Sequence, residues 1–303
     1  MVVRLDGAVD RVPADPDRIV VGVSVRGTPA PALTEALDLT LAPAATSRSV
    51  VAVPDPAAAV DALAAAVAAN PQAATVLAGV LRTTADLPVR DALDVESFAY
   101  STLLGGPEFA AWLARRGERP PPPPAADPVL VERHGDTLHL NLNRPERRNA
   151  YGREVRDALV AGLQIAVLDD SIDRVVLDGA GPSFCSGGDL DEFGTAPDLV
   201  TAHFVRTRAG AARLLHQLAN RTEVRVHGSC VGAGIELPAF AGRIVAAPGT
   251  TFRLPEVAMG LIPGAGGTVS IPRRIGRWRT LYLALTGVDL DLATARAWGL
   301  VDN

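Results

Sequence analysis

The sequence predicts an α/β protein, and three observations carry that reading. Beyond residue 128, strand-like apolar runs alternate with helix-length segments, the pattern of a layered α/β architecture. Ahead of that region lies a mostly helical, alanine-rich stretch. Between the two stand five consecutive prolines, Pro120 to Pro124, which mark a boundary.

Taken in order, residues 17–25 (Asp-Arg-Ile-Val-Val-Gly-Val-Ser-Val) are the first expected strand, 31–40 a helix, and 49–53 a short apolar strand. A helix over 55–70 ends at Asn70-Pro71, because the residue before a proline avoids the helical region. Helices over 72–82, 88–104 and 107–116 follow, the last two separated by Gly105-Gly106-Pro107. The proline run favours polyproline II, rising about 3.1 Å per residue, so a linker over 118–128 reaches on the order of 30 Å. After it, strands are expected at 129–133, 137–142, 173–178, 223–227 and 243–247, with helices at 153–168, 198–219, 233–241, 276–286 and 291–299.

The bulk numbers narrow the function. With 303 residues and 48% hydrophobic content the chain can bury a large core, and a net charge of -5 lacks the basic field of a nucleic-acid binder. Two cysteines, Cys185 and Cys230, make no disulfide framework and suit a reducing cytoplasm, the expected location. No leader-like segment and no apolar run long enough to span a membrane is visible, so no membrane partner is expected. The five histidines, His134, His139, His203, His216 and His227, show no metal-ligand spacing, and no Gly-x-Gly-x-x-Gly unit is present; no metal or redox cofactor is expected.

Three stretches carry candidate chemistry. In Phe184-Cys185-Ser186-Gly187-Gly188-Asp189-Leu190, glycines let the backbone approach a ligand and turn an N–H toward developing negative charge. In His227 to Leu237, a strand leads through Gly232-Ala233-Gly234 into a helix. The first N–H groups of a helix lack internal partners and sit at its positive end, which suits an oxyanion; Glu236 lies one turn in. In Phe252 to Thr268, Glu256 sits among apolar residues, where burial disfavours its charge and makes it a candidate proton donor near neutral pH. Each stretch alone also reads as ordinary structure: a strand-to-helix turn, a first-turn carboxylate favouring the dipole, a partly exposed turn glutamate. The glycine-rich run after Glu256 is not a P-loop, since no Gly-Lys-Ser/Thr follows.

Together and in this order, these stretches and Asn143-Arg144-Pro145-Glu146-Arg147-Arg148-Asn149-Ala150 resemble the crotonase (enoyl-CoA hydratase/isomerase) superfamily over about residues 128–303. The run from Pro255-Glu256 to Gly266-Gly267-Thr268 is especially similar to hydratase members. The resemblance implies a crotonase-like spiral of ββα units with a helical cap, often assembled as trimers or dimers of trimers. It implies an acyl-CoA thioester substrate, with no cofactor beyond that coenzyme A. It implies a thioester carbonyl held by two backbone N–H groups, at Ser186 and Ala233, the latter where the family often has glycine. Glu236 and Glu256 match the family's acid/base pair, which favours hydration or dehydration; isomerisation or other CoA-enolate chemistry, and a catalytically silent scaffold, are the alternatives. Gly187, Gly188, Asp189 and Arg148 fall where the family runs close to its substrate. Arg273, Arg274, Arg277 and Arg279 read as phosphate contacts or as a solvated helix-start cluster, and Cys185 as a packing residue.

The resemblance also implies a rearranged order. Family members continue past the match to Gly299-Leu300-Val301-Asp302 with a strand, a proline and helices. Here Val50-Val51-Ala52-Val53-Pro54-Asp55, Asn70-Pro71 and Leu104-Gly105-Gly106-Pro107-Glu108 resemble that closing tail. The expected organisation is an unassigned segment over 1–49, a helical cap moved ahead of the core over 50–117, a linker over 118–128 and a ββα core over 129–303. Where the family carries a lysine near coenzyme A, this chain has Gly79, with Arg82 nearby.

Overall fold

The structure, a computed structural model, describes residues 1–7, 9, 12, 15, 17–26 and 29–303. Strands β1 (Val2–Arg4) and β2 (Val21–Val23), helix α1 (Pro31–Ala36), and strands β3 (Leu39–Ala42) and β4 (Val50–Ala52) open the chain, the four strands pairing in parallel in that order. The helix expected over 31–40 therefore ends at Ala36. Leu37, Leu39 and Leu41 are fully buried, and their period of two outweighs the helical period once β2 and β4 flank the segment.

Helices α2 (Pro56–Ala69), α3 (Pro71–Thr83), α4 (Val89–Leu104) and α5 (Pro107–Arg116) follow close to their expected limits. Asp55 caps α2 by accepting from the amides of Ala57 and Ala58. Glu108 caps α3 from a distance, its carboxylate accepting from Gln72 N at 2.7 Å and Ala73 N at 2.9 Å.

Past the prolines come β5 (Val129–His134), β6 (Thr137–Leu142), α6 (Arg153–Leu168), β7 (Arg174–Gly179), α7 (Leu199–Arg208), α8 (Ala212–Gln217), β8 (Thr222–Val226) and β9 (Ser229–Val231). They are followed by α9 (Ala233–Glu236), β10 (Arg243–Ala246), β11 (Thr251–Arg253), α10 (Gly267–Ile275), α11 (Arg277–Thr286), β12 (Leu290–Asp291) and α12 (Leu292–Trp298). One sheet has the order β10-β8-β7-β6-β5 and a smaller one β12-β11-β9. Successive strands alternate between the sheets, β8 then β9, β10 then β11, and a bridge from Cys185 to Cys230 adds the turn after β7 to the smaller one. Each circuit thus lays a strand in each layer, and the chain climbs as the expected spiral of ββα units.

Three helices differ from expectation for local reasons. The helix expected over 198–219 is broken between α7 and α8, where Gly210 lies so close to the Arg206 carbonyl that no Cβ would fit. The one expected over 233–241 ends at Glu236 and resumes as a 3-10 turn, Pro238–Phe240, because Pro238 brings no N–H to continue it. Helix α10 was hidden in a glycine-rich run with an internal proline, Pro272.

The N-terminal helices pack on the C-terminal end of the spiral, α3 and α4 against α10, and α2 and α3 against α11. Leu77, Leu81, Leu93, Leu103 and Phe109 belong to the same buried cluster as Val269, Ile271 and Leu281. The arginines read as phosphate contacts or a solvated cluster reach protein carbonyls. Arg277 donates to Glu35 O at 2.8 Å, Arg279 to Ser47 O at 3.3 Å and Arg273 to Leu87 O at 2.7 Å, while Arg274 donates to Ala239 O and Ala241 O within the core. Arg82 is likewise committed, holding buried Asp38 through Nε and Nη2 at 2.7 and 2.6 Å. The proline segment is pinned at its far end, where Ala125 N donates to Glu154 and Arg144 to Pro123 O. Among the described residues no single helix is long and apolar enough to cross a membrane.

Phe109 is 2% exposed. Phe109→Ala should cost about 3–5 kcal/mol, read as a lowered urea midpoint; a change below about 1 kcal/mol would show that α5 is only loosely docked.

Candidate active site

The loop after β7 and the loop after β9 are zipped together. Val231 N donates to Cys185 O at 3.1 Å, and a Cβ on Gly234 would press on that same carbonyl. Asn149, fully buried, braces the first loop: its Nδ2 donates to Ala180 O, Ser183 O and Phe184 O at 2.8, 3.1 and 3.0 Å, and its Oδ1 accepts from Arg144 N. The two loops bring Gly188 and Ala233 to the wall of one cavity of about 450 Å³. Neither backbone N–H has a protein acceptor among the described residues.

That arrangement corrects the residue expected as first donor. Ser186 does not line the cavity, and its N–H is taken by Arg148 O at 3.0 Å. Gly188, two residues on, presents the free N–H. The other residues expected near substrate separate as well. Gly187 is buried behind the wall. Asp189 lines the cavity, but its carboxylate is bound by Arg147 at 2.7 and 3.0 Å. The Arg148 side chain is exposed and away from the cavity; its backbone carbonyl does the work.

Both glutamates line the cavity, Glu236 at 2% and Glu256 at 8% exposure. Gly232 turns the chain into α9 at φ +50°, ψ -120°, a region side chains other than glycine's avoid. The missing Cβ matters too: it would crowd Glu256 Oε1 and lie 3.6 Å from Glu236 Oε1, so both carboxyls face one point. Glu236 Oε2 accepts from Ala265 N at 2.7 Å and Gly267 N at 2.9 Å, leaving Oε1 toward the cavity. Glu256 Oε2 is buried with no partner.

A third carboxyl, missed from the sequence, completes the group. Glu96 on α4 is 2% exposed, and its oxygens accept from Gly266 N at 2.8 Å, Thr268 N at 2.9 Å and Thr268 Oγ1 at 2.7 Å. Four successive amides, 265 to 268, are thus taken alternately by Glu236 and Glu96. One signal was available: Glu96 falls on the same helical face as Ala92, Leu93 and Leu103, which is the buried face. Two glycines of the catalytic loop let the N-terminal helices approach: a Cβ on Gly260 would strike the start of α5, and one on Gly264 the ring of Tyr100.

Burial pushes all three carboxyls up. Glu256 is raised to about 8 by desolvation, against a hydrogen bond from its own backbone, with a smaller upward push from the charge of Glu96. Glu96 is raised to about 7 by desolvation, against the pull of its three donors and Arg206. Glu236 is raised by desolvation and then by Glu256 and Glu96, while its two amide donors favour the anion. Cys185 is buried and its thiol pushed up to about 12, fitting a packing residue and not a nucleophile. Among the described residues no three His, Cys, Asp or Glu side chains are grouped to hold a metal ion.

A family model described as enoyl-CoA hydratase/isomerase matches residues 132–303. Over 178 residues the chain is 37% identical to the 1,2-epoxyphenylacetyl-CoA isomerase of Escherichia coli (strain K12), covering 57% of this chain and 68% of that one. It is 34% identical to the 2,3-dehydroadipyl-CoA hydratase of the same strain over 58% of this chain and 68% of the relative. Among solved structures, a carnitinyl-CoA dehydratase from Mycobacterium avium 104 is 36% identical with a TM-score of 0.52, over 58% of this chain and 69% of that one.

A carboxyl ionising near 4.5 when exposed and near 8 in the fold keeps its proton in the native state, so its contribution to stability is complete below pH 4.5 and is lost as pH rises to 8. The loss is about 1.4 kcal/mol per pH unit at most. The melting temperature should fall from pH 5 to 8, and Glu256→Gln should flatten the fall; an identical slope in the variant would place the titration elsewhere.

Proposed function

The chain belongs to the enoyl-CoA hydratase/isomerase family, and from that premise we propose that it adds water to, or removes it from, the double bond of an enoyl-CoA thioester. The observation that carries this reading is a pair of buried glutamates, both close to Gly232, that line a cavity whose wall also carries two free backbone N–H donors. The thioester oxygen accepts from Gly188 N and Ala233 N, Gly188 replacing Ser186 in that role. Such donors gain strength as negative charge builds on the oxygen, and one of them is worth roughly 3 kcal/mol in comparable sites.

The two carboxyls divide the proton work by their surroundings. Glu236 has its Oε2 held by two amides that favour the anion, so its Oε1 takes the proton of the attacking water. Glu256 has no donor on Oε2 and keeps its proton to about pH 8, so it delivers that proton to the α carbon. The pair gains one proton and gives one, and exchange between the two resets it. Dehydration runs the same steps backward.

Residues 50–117 are proposed as the family's closing tail, carried ahead of the core. The seating of α4 and α5 on Gly264 and Gly260 supports this, as does a family match confined to residues 132–303. From the same family we propose a trimer or dimer of trimers in the cytoplasm, with coenzyme A entering only as part of the substrate.

Glu256→Gln should lower turnover of an enoyl-CoA by about 10²- to 10⁴-fold while leaving melting at pH 5 and thioester binding nearly intact; unchanged turnover would sink its assignment. Glu236→Gln should abolish hydration yet spare exchange of the α proton, followed by deuterium uptake, whereas equal loss of both would give Glu236 a structural role only. A rearranged chain with residues 50–117 joined after Asn303 by a short linker should be soluble and active, and an unfolded product would count against the displaced tail.

A further inference from the structure

The cavity contains a cation that hydration does not use. Arg206, in the last turn of α7, lines it, with one edge of its guanidinium tied to α4. Nε donates to Ser97 Oγ at 3.1 Å, and Nη2 donates to Ser97 O at 3.2 Å and to Ser101 Oγ. All three acceptors are neutral, and no carboxylate is within ion-pair distance of Arg206 among the described residues. Both N–H groups on Nη1 are without a protein acceptor there. The nearest carboxylate to weigh is Glu96, which acts on Arg206 through space, but its oxygens already accept three hydrogen bonds.

Tyr100 packs against this cation and against the loop that carries Gly264. The guanidinium lies over its ring, 4.6 Å from the centroid, and the ring also rests on Gly264. Its hydroxyl has no hydrogen-bond partner among the described residues. Tyr100, Arg206, Glu236 and Glu256 all line the same cavity.

We propose that the Nη1 edge of Arg206 and the Tyr100 hydroxyl form a subsite for a carboxylate at the far end of the acyl chain, so that the preferred substrates are CoA thioesters of dicarboxylic enoyl chains. A guanidinium held among neutral partners in a cavity is costly to cover with hydrocarbon, because its remaining donors would lose water and gain nothing. A carboxylate supplies charge-assisted acceptors for those donors. A site built to hydrogen-bond a substrate group discriminates strongly against the analogue that lacks it. The fixed edge on Ser97 and Ser101 keeps the free edge oriented, so little side-chain entropy is lost on binding.

The proposal rests on the hydration reading, and the test separates the two. The kcat/KM of the full-length protein is compared for hex-2-enedioyl-CoA against hex-2-enoyl-CoA, and for the eight-carbon pair. At one length or the other the carboxylated ester should be preferred by roughly tenfold or more. Arg206→Met should bring the ratio close to one, and Tyr100→Phe should reduce it in part; because each ratio is taken within one protein, a loss of folded enzyme cancels. A ratio near one at both lengths in the unaltered protein, or a ratio that Arg206→Met leaves unchanged, would make Arg206 a clamp between α7 and α4 and overturn the subsite. Calorimetry with saturated adipyl-CoA against hexanoyl-CoA reads the subsite without turnover, and equal dissociation constants would also overturn it. A protein that turns over none of the enoyl esters yet binds adipyl-CoA more tightly would refute hydration and leave the subsite standing.

Discussion

The structure turns on one run of backbone, the four amides of residues 265 to 268. They lead into helix α10 and include its first two unpaired donors, those of Gly267 and Thr268, and two carboxylates from distant parts of the chain take all four in alternation. Neither carboxylate could be buried without those donors, and the helix could not begin inside the protein without those acceptors. The same contacts fix Glu236 with one oxygen pinned and the other free, and lock α4 to the catalytic loop. Fold, cap and catalytic geometry therefore share one set of hydrogen bonds, and a change at Glu96 is felt at Glu236 through Gly266 and Gly267.

Three buried carboxyls in one cavity would be untenable if their surroundings were alike. Glu96 has three donors and a cation nearby, Glu236 has two amides, and Glu256 has an oxygen with nothing. Against the common upward push of burial, hydrogen-bond donors pull Glu96 and Glu236 back toward the anion, and Glu256 Oε2 has none. Glycine supplies the room: Gly232 lets the two carboxyl groups meet, and Gly264 lets the Tyr100 ring close the cavity.

Much of this was legible in the sequence, and the limits have physical reasons. Helices α2 to α6 were marked by local signals such as Asn70-Pro71 and Gly105-Gly106-Pro107, which act within a few residues. Glu236 and Glu256 were found because their loops carry a recognisable order of residues. The misassigned donor shows what such an order leaves open: Ser186 and Gly188 share one turn, and only the Arg148 carbonyl, 38 positions earlier in sequence, decides which N–H is free. Strand β3 looked helical because Leu37, Leu39 and Leu41 acquire their strand face only between β2 and β4. Helix α10 was invisible because its caps come from residues 96 and 236. The arginines after it found backbone carbonyls of an N-terminal segment that no local pattern predicts.

A displaced tail is physically reasonable because the site depends on where α4 and α5 sit and not on the order in which the chain reaches them. What the proposed order would change is the connection. Asp302 and Asn303 lie against β10, where they pair with Ile244 and Ala246. The cap is tethered instead through the proline segment, which is stiff and pinned at Glu154 and Arg144. A stiff tether costs less ordering entropy than a flexible one and keeps the cap at high effective concentration over its own cavity. The cap brings Glu96, without which the amides of Gly266 and Thr268 would be buried unpaired. The tether and the amide cradle thus favour the same state, in which the cavity is closed only when Glu236 is correctly held.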